Sequence, residues 1–74
     1  MKAIVANHPI ECFEKDGSPF VLRIGAAGSF PDDQAGILLE RPVNYVEHSP
    51  KGPKMFARPA SDEESIGALE LTLF

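Results

Sequence analysis

The chain has 74 residues and a formal net charge of −4, with 43% hydrophobic and 24% charged residues. This length allows one small domain, residues 1–74, and the composition excludes a wholly disordered chain. The single cysteine excludes an internal disulfide framework. No apolar run is long enough for a membrane span or for the core of a signal peptide, so we expect a soluble protein, cytoplasmic or associated with a virion.

Seven prolines and six glycines are spread along the whole chain, and both residue types weaken helices. Between them lie short runs of β-branched, aromatic and aliphatic residues, which are typical of strands bounded by turns. The sequence therefore predicts a mostly β fold. We expect a small antiparallel sheet of five or six strands, arranged as a sandwich or barrel, with Pro/Gly-rich turns and at most one short helix.

The first strand signals come early in the chain. Strands are expected over residues 2–6, 10–14 and 20–24, and Asp16-Gly17 predicts a tight hairpin turn between the second and the third. The glycine-rich, acidic stretch 25–36 is expected to form a surface loop, because closely spaced breakers interrupt any strand there. Its phenylalanine, Phe30, would then be exposed and is a secondary candidate for partner contact.

Residues 31–41 carry two competing patterns. A proline with two aspartates opens the segment, and Arg41 followed by a proline closes it, which matches the start and stop signals of a helix. Gly36 lies in the middle and would destabilise that helix by about 1 kcal/mol. We therefore favour a strand that begins at Ile37 and keep the helix over 31–41 as the alternative.

The last third of the chain predicts a second hairpin, a helical turn and a strand. A proline- and glycine-rich turn at 49–53 predicts a hairpin over 43–58, with a short returning strand. Ser61 and Glu64 match a capping box, which predicts one turn of helix. Leucines alternate with other residues over 68–74, which predicts a closing strand.

The terminal Glu70-Leu71-Thr72-Leu73-Phe74 resembles the short peptide by which bacterial replication and repair proteins dock on the sliding clamp, a Gln-Leu-x-Leu-Phe type sequence. The resemblance covers five residues, and Glu70 stands where the glutamine belongs, which removes the side-chain amide that the motif uses. Alternating leucines are also what any closing strand shows, and we favour the strand.

Few residues have the spacing of a metal-binding or catalytic site. Cys12, His8 and His48 lack the spacing of a zinc site, and no third residue is placed to orient a Cys–His nucleophile pair. The acidic stretches 32–33 and 62–64 are expected in solvated segments rather than as a general acid/base pair. We predict no catalytic residue, no metal ligand and no cofactor, and hence no enzyme.

Small strand-rich proteins without a pocket of their own usually act by surface contact. We predict a non-enzymatic structural or interaction subunit that lays a sheet edge and turns against a larger assembly, of the type of a phage capsid decoration or tail-assembly protein. Its partner would be a protein or a homo-oligomeric lattice, and neither a membrane nor a nucleic acid is expected. Aromatic residues, methionine and arginine are enriched at interfaces. The predicted partner-binding residues are Tyr45, Lys51, Lys54, Met55, Phe56, Arg58 and Phe74.

Two alternatives stay open. The acidic stretches 32–33 and 62–64 suit a small inhibitor or regulator that binds a basic enzyme surface. The basic and aromatic residues of the 43–58 hairpin suit a small β-barrel that binds nucleic acid weakly and with strong salt dependence.

Overall fold

Residues 1–43 and 54–73 are described by the computed structural model, and they form a mostly β fold with six strands and two helices, which confirms the predicted fold class. In chain order the elements are β1 (Lys2–Ala6), β2 (Ile10–Glu14), β3 (Pro19–Leu22), β4 (Ala27–Phe30), α1 (Asp32–Glu40), β5 (Ala57–Pro59), α2 (Asp62–Ile66) and β6 (Leu69–Thr72).

The strands form one sheet in the order β3-β2-β6-β4-β1-β5. Every neighbouring pair is antiparallel except β4 with β6, which is parallel. The expected all-antiparallel sheet is therefore corrected to a mixed one, and the expected limit of one helix to two. Within the described residues β3 and β5 remain the two edges, so the sheet is neither a closed barrel nor a sandwich.

The β2–β3 hairpin has the turn that its sequence predicts. Gly17 adopts φ +92°, in the left-handed region that favours glycine. The side chain of Asp16 accepts a hydrogen bond from the Ser18 N–H at 2.9 Å. β3 ends at Leu22, two residues earlier than expected.

The sheet is strongly curled. β3 and β4 are joined by residues 23–26 alone, although β2 and β6 lie between them, and in a flat sheet they would be about 14 Å apart. A Cβ atom added to Gly28 of β4 would lie 3.0 Å from Leu22 Cδ2 and 2.9 Å from Leu71 Cδ1. Side chains of distant strands thus meet over Gly28, and a glycine is needed there to make room for them.

The hydrophobic core lies on the concave side of the curl, beneath α1. Ile4, Leu22 and Phe30 are the largest fully buried side chains, and Ala35 and Leu38 of α1 belong to the same cluster. The expectation that Phe30 is exposed in a surface loop is wrong, because the stretch contains β4, which pairs with β1 on one side and β6 on the other.

Residues 31–41 contain a helix, so the favoured strand from Ile37 is wrong and the alternative is confirmed. Oε1 of Gln34, a buried residue of α1, accepts hydrogen bonds from the Leu73 N–H at 2.8 Å and the Thr72 hydroxyl at 3.2 Å. This anchor and the buried apolar side of α1 outweigh the cost of its central glycine, since tertiary packing routinely overrides helix propensity.

Helix α2 has the predicted capping box. The Ser61 hydroxyl accepts from the Glu64 N–H at 3.2 Å, and the Glu64 carboxylate accepts from the Ser61 N–H at 2.9 Å. Arg58 of β5 also binds Glu64. Where β5 pairs with β1, Arg58 lies opposite Val5. Because Val5 and Ile4 point to opposite faces of β1, α2 lies on the convex face, away from α1.

The predicted closing strand forms, yet it lies in the interior of the sheet, between β2 and β4. Leu71 in the centre of β6 is buried. Most of the segment that resembles a clamp-binding peptide is therefore part of the sheet, and binding a clamp would require removing a central strand.

Candidate functional site

An apolar groove runs from α1 along the β2–β3 hairpin. It consists of two adjoining cavities of about 490 Å³ and 580 Å³, which have Glu11, Val21 and Leu73 in common. We name it the α1–β2 groove. The first cavity is also lined by His8, Pro9, Ile10, Ile37, Leu38, Arg41 and Phe56. The second is also lined by Cys12, Phe13, Pro19 and Phe20.

The groove is open because α1 does not cover the whole sheet. Helix α1 packs mainly on β1, β4 and β5, and neither of the two described helices packs as extensively on the β2–β3 hairpin. Val21 on β3 is 51% exposed and Ile37 on α1 is 40% exposed. Covering either side chain would stabilise a complex by roughly 1 kcal/mol.

Three polar side chains accompany this apolar surface. The His8 ring lies edge-on to Phe56 with ring centroids 5.3 Å apart. Arg41 is exposed and forms no ion pair with any other described residue, and the same holds for Glu11. The groove therefore offers a ligand one cation and one anion, neither of which has an ion-pair partner in the described ranges 1–43 and 54–73.

Cys12 is suited to packing rather than to nucleophilic chemistry. It is buried in the core cluster, and its thiol donates to the Phe20 carbonyl oxygen at 3.5 Å. Burial, opposed by a backbone hydrogen bond, raises the pKa of the Cys12 thiol above its ordinary value. The thiol is therefore protonated at neutral pH, and the reactive thiolate is scarce.

Four of the seven predicted partner-binding residues lie in the part of the chain that the structure describes. Tyr45, Lys51 and Phe74 lie outside the described residues. Lys54 is exposed and Met55 is half-buried. At the base of the predicted hairpin, the main chain of residues 41–43 forms hydrogen bonds with that of residues 54–56.

The last two predicted residues have different surroundings. Phe56 lines the α1–β2 groove and packs against the core cluster. Arg58 lies on the convex face, where it binds the Glu64 carboxylate through two hydrogen bonds of 3.0 and 2.8 Å. These bonds and the capping contact with Ser61 lower the pKa of Glu64 to about 2. Arg58 is thus occupied within the fold.

The sheet edges are poor templates for strand addition. β3 contains Pro19 and β5 contains Pro59, and proline has no N–H to donate to an added strand. With four residues in β3 and three in β5, each edge is also short. Contact through side chains is therefore favoured over pairing along an edge.

The convex side carries a second feature, the outward face of α2. Ile66 is 85% exposed, the highest value among the exposed large hydrophobic residues that the structure describes. Asp62 and Glu63 precede it by four and three residues, so all three share one side of the helix. We name these three residues the α2 knob.

Sequence reasoning missed both surfaces. Ile37 and Arg41 come together only if 31–41 is helical, and that alternative was not favoured. Val21 lies within the strand predicted over 20–24, and nothing in that strand pattern indicates that α1 lies near it. The helical spacing of Asp62, Glu63 and Ile66 was the one signal that could have been found, since the capping box already predicted a helix there.

Comparison of the chain with protein-family models, with curated proteins and with solved structures gave no match. Among residues 1–43 and 54–73, no helix has the length and apolar character to cross a membrane. The same residues contain no group of three or more His, Cys, Asp or Glu side chains that could hold a metal ion.

Proposed function

We propose that this chain is a non-enzymatic interaction subunit that binds an apolar, acidic segment of another protein chain in the α1–β2 groove. The observation that carries the proposal is the groove itself, whose lining includes the exposed apolar side chains of Val21 on β3 and Ile37 on α1. Exposed apolar surface of this kind marks an interaction site when it is contiguous and rimmed by polar residues.

A protein segment fits the groove better than a small molecule does. Binding sites for small molecules enclose most of the ligand's surface, whereas this groove is open to solvent along α1 and β3. The guanidinium of Arg41, which has no ion-pair partner among the described residues, favours a carboxylate on the bound segment. An apolar residue near an acidic one is therefore the expected recognition element at the α1 wall, where Arg41 lies.

Docking by side chains replaces the sheet-edge contact expected from the sequence. The prolines in both edge strands disfavour strand addition, while the groove presents apolar and charged side chains together. Small size and the inert thiol of Cys12 support a structural role over catalysis. Within that role, a subunit of a larger assembly, such as a phage capsid decoration or tail-assembly protein, is the type we favour.

Nucleic-acid binding receives less support. A basic patch on the hairpin would need the cations and aromatic rings on one surface. Phe56 packs against the core cluster, and Arg58 is paired with Glu64. The overall charge of −4 adds repulsion of phosphates.

Selection from a displayed library of short random peptides tests the proposal. The wild-type protein should enrich peptides that combine apolar residues with Asp or Glu. Ile37→Lys places a charge on the groove wall, and its affinity for the enriched peptides should fall by about tenfold or more.

Ile24→Lys is the matched control, because Ile24 is 62% exposed and does not line either cavity. It should bind the enriched peptides as the wild type does. If no peptide is enriched, or if both lysine variants bind equally well, the groove is not a protein-binding site.

A further inference from the structure

The α2 knob has the chemistry that the α1–β2 groove is expected to recognise. It combines the exposed apolar side chain of Ile66 with the carboxylates of Asp62 and Glu63. Neither carboxylate forms an ion pair with another described residue. The molecule thus carries an apolar, acidic segment of its own, already folded and pointing into solvent.

The spacing of apolar and charged groups also matches. On the groove wall, Arg41 follows Ile37 by four residues, which is about one helical turn or 6 Å. On the knob, Asp62 precedes Ile66 by four residues. When Ile66 lies against Ile37, Asp62 reaches Arg41 if the α2 of one copy runs antiparallel to the α1 of another.

The helices that carry Ile37 of the groove and Ile66 of the knob lie on opposite faces of the sheet. Ala35 and Leu38 of α1 pack in the concave cluster with Ile4. Glu64 of α2 binds Arg58, whose register partner Val5 points to the other face of β1. A knob therefore cannot occupy the groove of its own chain, and a contact with a second copy leaves one groove and one knob free.

We propose that this protein assembles head to tail with further copies of itself, with the α2 knob of one copy seated in the α1–β2 groove of the next. The inference rests on the proposed function and names its partner. A contact between two different surfaces generates a ring when its rotation closes and a filament when it does not.

Each single contact is weak. Helix α2 has five residues, and its outward face buries less than the roughly 1,200 Å² of a stable protein interface. We expect a dissociation constant between about 10 μM and about 1 mM, so assembly appears only in concentrated solution or after ring closure adds avidity.

Sedimentation velocity on the full chain over a concentration series tests the proposal. The mean mass of the wild type should rise with concentration. Ile66→Lys, which lacks a working knob, and Ile37→Lys, which lacks a working groove, should each stay monomeric. Ile24→Lys should assemble as the wild type does. Thermal melts of dilute samples verify that all variants fold, as expected for exposed positions.

Mixing the two defective variants gives the sharpest result. Each keeps the surface that the other has lost, so the mixture should form heterodimers and nothing larger. The charge contact is tested within one chain: Arg41→Glu should weaken assembly about tenfold, and adding Asp62→Arg should restore it.

The possible failures separate this inference from the proposed function. A wild type that stays monomeric at millimolar concentration overturns self-assembly, and peptide binding that Ile37→Lys abolishes would still support the groove as a site for a different protein. Assembly that persists in both defective variants, or a mixture without heterodimers, overturns the head-to-tail contact.

Discussion

Helices α1 and α2 both begin with acidic residues, yet α1 buries Gln34, Ala35 and Leu38 and α2 buries none of its five residues. The N-terminus of α1 has no side-chain cap, and the helix is fixed by tertiary contacts. Helix α2 is fixed by its capping box and by the ion pair between Glu64 and Arg58.

This difference shows how the chain keeps an apolar side chain exposed on an ordered element. Helix α2 has no buried face, so its conformation depends on local hydrogen bonds, and Ile66 stays free to contact another molecule. Helix α1 uses its apolar face for the core, and Ile37 at the margin of that face is left for the groove. In both helices, therefore, the residues that stabilise the fold differ from the residue that is exposed for partner contact.

The largest expected effect comes from truncating the core face of α1. Leu38→Ala should lower the free energy of unfolding by about 2 to 5 kcal/mol, because a buried leucine leaves a cavity. Ile66→Ala on α2 should change it by less than about 0.5 kcal/mol. Denaturant unfolding of both variants makes the comparison, and similar losses would contradict the different anchoring of the two helices.

Removing the polar anchor of α1 should have the next largest effect. Gln34→Met deprives the Leu73 N–H and the Thr72 hydroxyl of their acceptor, and an unsatisfied buried donor costs about 1 to 3 kcal/mol. Asp33→Ala, at the exposed neighbouring position, is the control and should be nearly neutral. A Gln34→Met variant as stable as that control would show that the anchor contributes nothing.

Loss of the α2 cap should give a smaller, local effect. Ser61→Ala removes the acceptor of the Glu64 N–H and should destabilise the helix by about 1 kcal/mol. Faster hydrogen exchange at the Glu64 and Ser65 amides would report it. Ser61→Asp retains a capping oxygen and should exchange as the wild type does; equal acceleration in both variants would refute the role of the cap.

The smallest effect should be the pH dependence of α2. Hydrogen bonds from Arg58 and Ser61 lower the pKa of Glu64 from 4.5 to about 2. A carboxyl with a lowered folded-state pKa stabilises the fold above its unfolded pKa, and this contribution is lost as the pH falls from about 4.5 through about 2. An NMR titration of the Glu64 carboxyl carbon measures it, and in Arg58→Gln the midpoint should move back up. An unchanged midpoint would exclude Arg58 as the main cause.

Local signals predicted several elements well. β1 and β2 have the predicted limits, and the turn at Asp16-Gly17 and the capping box at Ser61 form as expected. Each of these elements depends on residues within a few positions of one another. The strands depend on alternation, the turn on a left-handed residue and the helix on its cap. Such interactions can be read from a short stretch of sequence.

The misassigned segments depend on distant residues. The sequence analysis interprets Gly28 as a loop signal, whereas it lies in β4. A glycine is needed there because Leu22 and Leu71 occupy the space that a side chain would fill. Gly36 weighed against a helix that Gln34 and Leu38 hold in place through long-range contacts. The groove was missed for the same reason, since its walls come from segments far apart in the chain.

Periodicity and turn chemistry are enough to predict a small, mostly β chain with its first hairpin, the helical turn of α2 and a final strand. Long-range packing determines that β6 enters the centre of the sheet parallel to β4, that 31–41 contains a helix, and that α1 and α2 lie on opposite faces. Those choices depend on which apolar side chains can be buried together, and that is settled by contacts between residues that are distant in sequence.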